Sequence, residues 1–238
     1  MTLPKIDYPI NEIKLDSTGK KINFRPLTTK EEKLLLIAKA SENENDIFTA
    51  MKQVVNNCII DKDFDINQIP LYELEWFFLN LRIRSIGGFV ELTYSDAEDK
   101  KDYNFRINLE DIKITYPAGN FNNKIQVNEN VGIVMRYPPA SLYDNKDFIH
   151  SKSVSQVSEE LLISSIDKIW DGDEVHEASD ASKEELIEFI DSLESSVYGK
   201  MQEFLIKSPH IEYTISYKNS LGTERKIPLR SLTDFFTF

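Results

Sequence analysis

Apolar side chains change their spacing several times along this chain, and each change marks an expected element. Ile13 and Leu15 alternate with polar neighbours on one side of Thr18-Gly19, and Ile22 and Phe24 do so on the other, so residues 12–24 read as a β-hairpin. Pro26 ends the second strand. Thr28 and Thr29 stand three residues before Glu31 and Glu32, the spacing of a capping box, and the helix they open runs to about Ala40. Its Leu34, Leu35, Ile37 and Ala38 form a broad apolar face that must be buried in this fold or in a partner.

The segment DIFTAMKQVVNNCII predicts a second helix, with Ile47, Met51, Val54, Val55 and Cys58 at three- and four-residue steps. LYELEWFFLNLRIRSIGG predicts a third, opened after Pro70 and stopped at Gly87-Gly88. Leu71, Leu74, Phe77, Phe78, Leu81 and Ile83 cannot all face water, so this helix is expected at the centre of the N-terminal lobe, with Trp76 as a core residue. From Phe89 the period becomes that of a strand. FVELTY and YNFRINLEDI flank a charged turn, and IEYTISY, KNSLGTER and KIPLRSLTDFF repeat the strand–turn–strand order. Leu109 with Asp111 matches Leu232 with Asp234, which leaves open either a duplication or two independent hairpins.

Between these hairpins, Lys124 to Val127 and Val131 to Tyr137 read as strands, the second ended by Pro138-Pro139. SVSQVSEELLISSIDKIW reads as helix, and DGDEVHEASDAS as an exposed acidic loop without periodicity. In residues 182–207, Ser182 with Glu185 makes a capping box, and Leu186, Ile190, Leu193, Val197, Met201 and Phe204 form one stripe. The expectation is one helix with a stripe of about 28 Å, packed within the chain or against a partner helix. The fold class expected is α+β. An N-terminal hairpin and three-helix lobe (1–90) is followed by a β-rich segment (91–150), then a helical segment with the acidic loop and a terminal hairpin (151–238).

Composition then limits the chemistry. An apolar fraction of 41%, a charged fraction of 29%, 14 Phe and 10 Tyr describe a chain that folds. Net charge of -12, with no gathered basic run, excludes nucleic acid as the expected partner. No stretch approaches the roughly 20 apolar residues of a membrane crossing, and no secretory leader is evident, so synthesis in the cytoplasm is expected. The single cysteine, Cys58, cannot form an intrachain disulfide and lies on the apolar side of its helix.

Catalytic signatures are missing. His150, His176 and His210 form no HExxH pair, no G-x-S-x-G or glycine-rich phosphate loop occurs, and no cofactor or metal site is expected. Asp171, Asp173, Glu174, Glu177 and Asp180 crowd together, but Gly172 falls second where a calcium loop needs glycine sixth. Broad apolar helical faces without a chemical constellation point to a binding or assembly protein rather than an enzyme.

FRPLTTKEEKLLLIAKA, then VVNNCII, then IPLYELEWFFLNLRIRSIGG, with LRSLTDFF near the C-terminus, resembles the base plate protein family of T4-type contractile-tailed phages. The resemblance is strongest over residues 20–90 and returns at 209–238. It makes Arg25, Pro26, Glu31, Glu32 and Lys33 motif positions around the first helix, and Glu73, Trp76, Phe77 and Arg82 motif positions of the third. It implies a late protein of the infected bacterial cytoplasm or the virion tail baseplate, either an assembly factor for the baseplate hub or a permanent hub subunit. Its partners would be hub proteins, fellow assembly factors or a second copy. Relatives can carry paired cysteines at their hairpin turns, as in zinc knuckles. The turns here, TYSDAEDKKDY and SYKNSLGTER, have none, so zinc is not carried over.

Overall fold

The computed structural model describes residues 6–116, 122–145, 148 and 153–230. The chain is α+β and divides into two compact units. One comprises residues 1–66, 72–115 and 210–238, the other residues 67–71 and 116–209.

The first unit opens with strands β1 (Asn11–Lys14) and β2 (Lys21–Phe24), an antiparallel hairpin in which Ile13 faces Ile22. Gly19 takes φ +69° in its turn, a backbone conformation that a residue without Cβ adopts at no steric cost. Helix α1 (Thr29–Ala40) is capped by Thr28 and Glu31 in the box arrangement. Only Leu35 and Ala38 of its expected apolar face are buried. Ile37 is 70% exposed, because the four apolar residues span more of the helix circumference than one neighbour, α2 (Glu44–Cys58), covers. Helix α2 buries Met51, Val54, Val55 and Cys58 as its spacing requires.

Helix α3 (Leu71–Ser85) is apolar almost all round and is correspondingly enclosed: Leu74, Phe77, Phe78, Leu79 and Leu81 lose all or nearly all contact with water. Trp76 is only half-buried. Strands β3 (Phe89–Ser95) and β4 (Asp102–Asn108) form the expected hairpin. Strand β5 (Lys113–Thr115) pairs with β10 (His210–Lys218), which also pairs with β11 (Glu224–Leu229), so late residues complete a sheet with early ones.

The second unit is built on a four-stranded antiparallel sheet in the order β6 (Lys124–Gln126), β7 (Val131–Met135), β8 (Ile166–Asp171), β9 (Glu174–Glu177). Two expectations are corrected here. The helix expected to run through residues 153–170 ends at Ser164 as α4 (Val154–Ser164), and IDKIWD becomes strand β8. The acidic segment expected as a loop is the turn and strand of a hairpin. Asp171-Gly172-Asp173-Glu174 reverses the chain with Gly172 at φ +59°, the glycine-first turn that suits two twisted strands.

The expected single helix over 182–207 is two: α5 (Lys183–Asp191) and α6 (Ser195–Ile206). Ser192 donates its hydroxyl back to the Phe189 carbonyl at 2.7 Å, and Glu194 is extended with ψ 146°. A serine bonded to its own helix backbone competes with propagation, and here it marks the break. The apolar stripe nonetheless stays on one side. Leu186, Ile190, Val197, Met201 and Phe204 join Ile125, Ile133, Met135, Leu162 and Ile166 in one core.

Beneath the sheet's second strand, the Trp170 ring lies across Gly132, its register partner on β7. A Cβ at position 132 would sit 1.9 Å from Trp170 Cζ2, so the ring occupies the space that any other side chain needs.

Candidate interaction surfaces

The motif residues of the first unit converge, but on the fold rather than on a cleft. Arg25 leaves the end of β2 and reaches Glu31 on α1 through two nitrogens, at 3.0 and 3.3 Å. The same guanidinium donates to the carbonyls of Pro26 and Asn57, each at 3.0 Å, and lies 3.6 Å from Cys58 Sγ. One side chain thereby ties β2, α1 and the end of α2 together. Glu31 accepts further hydrogen bonds from the Thr28 N–H (2.9 Å) and hydroxyl. Burial alone would push its carboxyl up, but Arg25 and Thr28 more than offset that and hold it at about 2. Cys58, enclosed beside them, is pushed up to about 12 by burial, which keeps it an unreactive thiol.

Glu73 accepts from the Ser17 N–H and hydroxyl, both at 2.6 Å, and so pins the β1–β2 turn to α3. Phe77 meets Phe24 edge-to-face at 5.2 Å. Arg82 donates to the Gly87 carbonyl at 3.0 Å and secures the end of α3, while the Trp76 carbonyl accepts from Asn80 at 2.8 Å. Glu32 is half-buried and Lys33 exposed, and neither side chain makes a hydrogen bond or ion pair among the described residues. The neighbouring Glu75 is half-buried on α3, and loss of water pushes its carboxyl up to about 7.

A second constellation was not anticipated. The turn of the β3–β4 hairpin and that of the β10–β11 hairpin are bonded to each other. Asp96, almost fully enclosed, accepts from the Tyr217 hydroxyl at 2.5 Å and pairs with Arg225 at 3.3 Å. Its other oxygen accepts from the Glu98 and Asp99 N–H groups. Glu98 takes hydrogen bonds from Asn219 (2.7 Å) and Arg225 (2.9 Å), and Asp99 from the Tyr103 hydroxyl and from the Ser220 N–H and hydroxyl.

These contacts hold both aspartates below their ordinary range, Asp96 chiefly through Tyr217 and Asp99 chiefly through Tyr103. The Tyr217 ring sits against Tyr103, Phe105 and Tyr94. This chain joins the two turns with carboxylates, amides and aromatic rings. Its sequence signal is weak, because the partners lie more than 115 residues apart: two polar turns of similar layout, each with an Asx residue, Asp96 or Asn219, accepting from amides just after it.

The second unit carries a cleft of about 390 Å³ among α4, α5 and α6. Leu162, Ile187, Ile190, Leu193 and Tyr198 form its floor, and the carboxylates of Glu159 and Asp191 stand on its rim. Glu160, the neighbour of Glu159, is buried and engaged by Lys183 and by Asn145 at 3.0 Å. Glu159 and Asp191 make no ion pair among the described residues.

Of the three histidines, His176 is exposed on β9, His210 lies 3.2 Å from Glu212, and His150 falls outside the described residues, as do Leu232 and Asp234. No helix among the described residues is long and apolar enough to cross a membrane.

Comparison with known proteins adds the family. A family model described as T4 bacteriophage base plate protein matches residues 8–237, nearly the whole chain. No curated protein and no solved structure matches. The match takes in both units and both joined hairpins, well beyond the motifs around α1 and α3. The chain therefore belongs to the T4 bacteriophage base plate protein family, and its role is in the phage tail baseplate among other baseplate proteins.

Proposed function

We propose that the protein is a non-enzymatic assembly factor that promotes formation of the baseplate hub by covering apolar surface on a hub protein or on a fellow assembly factor. The observation that carries this reading is the contrast between engaged polar groups and exposed apolar ones. In the first unit's motif the half-buried Arg25 and the buried Glu31 and Glu73 are spent on holding helices and hairpins. Leu36 and Ile37 on α1, by contrast, stand in water at 49% and 70% exposure, and Phe89 at the start of β3 at 56%. Water-facing apolar residues of this size are what a protein partner covers. Net charge of -12 keeps such a complex soluble and biases docking toward a basic face.

Release follows when a later component competes for the same surface. Mass spectrometry of purified virions, run beside an affinity pull-down from infected cells late in assembly, tests the reading. Recovery of a hub protein in the pull-down with absence of the chain from virions is the expected result. A fixed number of copies per virion overturns it in favour of a permanent subunit, whose interfaces would be larger and more apolar.

A further inference from the structure

The cleft of the second unit combines two demands that few partners meet together. Its floor, centred on Ile187, Ile190 and Leu193, is apolar and of a size to take roughly two or three side chains. Its rim carries Glu159 and Asp191, with Glu188 and Glu194 exposed close by in sequence. The one lysine of α5 near its start, Lys183, is already committed to Glu160. Filling the cleft with an apolar segment alone would strip water from two carboxylates without compensation, and an acidic segment would add repulsion. A purely polar basic strand would leave the floor wet.

A second copy of this unit is a poor occupant. In residues 116–209 acidic side chains outnumber basic ones about two to one, so two such units repel. What satisfies floor and rim together is a helix with apolar residues on one face and Lys or Arg flanking them. Resting on the reading that this chain works through protein contacts, we propose that the cleft among α4, α5 and α6 binds a basic amphipathic helix of a partner protein. The apolar anchors enter the floor and the flanking cations pair with Glu159 and Asp191.

Fluorescence anisotropy with the full chain tests this, using a labelled peptide of about 18 residues with Leu on one helical face and Lys elsewhere, and its Glu counterpart. The Lys peptide is expected to bind at least about tenfold more tightly than the Glu peptide. Glu159→Lys with Asp191→Lys should weaken it about tenfold or more, and Ile187→Asp likewise, with circular dichroism confirming the fold. Asp171→Lys with Asp173→Lys makes the same change of charge at the tip of the β8–β9 hairpin, and should weaken binding less than about threefold.

Equal weakening by the hairpin variant overturns the proposal, since net charge would then explain the binding. So does indifference to Ile187→Asp. A dimer of the free chain that the peptide dissociates, seen by sedimentation, would make a second copy the occupant and also overturns it. A rim variant that still captures the hub protein from infected cells sinks the cleft proposal and leaves the assembly reading standing. Peptide binding at the cleft by a chain that captures no hub protein does the reverse.

Discussion

Replacing Glu31 with Gln is the sharpest test of how the N-terminal motif works. The carboxylate is 2% exposed, faces an Arg25 side chain that is 23% exposed, and closes the capping box of α1. Its folded value of about 2 against an ordinary 4.5 corresponds to at most about 3 kcal/mol at neutral pH. Arg25 keeps two carbonyl partners and some contact with water, which softens the loss, and Gln still offers Thr28 an acceptor. About 2 kcal/mol is the expected destabilisation.

The sign with pH follows from the depressed value. The contribution is complete above pH 4.5 and disappears as pH falls through 2, so the gap between wild type and Glu31→Gln should narrow markedly from pH 7 to pH 3. The chain has two tryptophans, and Trp76 belongs to the first unit while Trp170 belongs to the second. Urea unfolding followed by Trp76 fluorescence in a Trp170→Phe background therefore reports the relevant unit. Arg25→Met should cost a similar amount, and the double variant should cost less than the two single losses together, by about 1 kcal/mol or more. A loss below about 0.5 kcal/mol at pH 7, or a gap that does not change with pH, would refute the account.

Glu75 titrates the other way. With a folded value of about 7 against 4.5, its penalty is absent below pH 4.5 and complete above pH 7, so Glu75→Gln should be more stable than wild type at pH 8 by about 1–2 kcal/mol, allowing for its partial exposure, and equal to it near pH 4, by urea titration. Gly132→Ala must displace the Trp170 ring and should cost about 1–3 kcal/mol, with altered Trp170 fluorescence; in a Trp170→Leu background the cost should fall below about 1 kcal/mol. Tyr217→Phe removes the hydroxyl donor to Asp96, and hydrogen exchange should then quicken at the Glu98 and Asp99 amides while the amides of α3 stay protected. Since both aspartates are held low, acidification below their ordinary 3.8 should loosen the joined turns in wild type as well.

Local physics made most elements legible. The Thr28–Glu31 box, the Gly19 turn and the four- and three-residue steps of α2 are properties of a few neighbouring residues, and each element formed where its spacing placed it. Errors arose where two signals competed. The stripe from Leu186 to Phe204 has a helical period that survives the break at Ser192, because both helices face one core, so periodicity alone could not reveal the break. Acidic content concealed strand β9, although Asp171-Gly172 was a turn signal in plain view.

Long-range partners were the hardest to see. That Arg25 contacts Asn57, that Glu73 holds Ser17, and that Asp96 meets Tyr217 depends on topology, and nothing in the spacing of those residues encodes it. The cleft escaped for the same reason: its floor is assembled from α4, α5 and α6, and each contributes residues that read singly as ordinary core positions.

The discontinuity of the first unit sets an order of events during translation. Strand β5 lacks its partner, and the Asp96 turn lacks Tyr217, until β10 has been made. Residues 116–209 lie between them, and at bacterial ribosome speeds their synthesis takes roughly 5–20 s. The inserted unit has strands β6 to β9 and helices α4, α5 and α6 in hand by then, while β3 and β4 wait with their tip unlatched. A nascent chain therefore presents its finished cleft before the N-terminal unit is closed, and a stall or frameshift after Pro209 but before β10 is complete would yield a product with one complete unit and one open one.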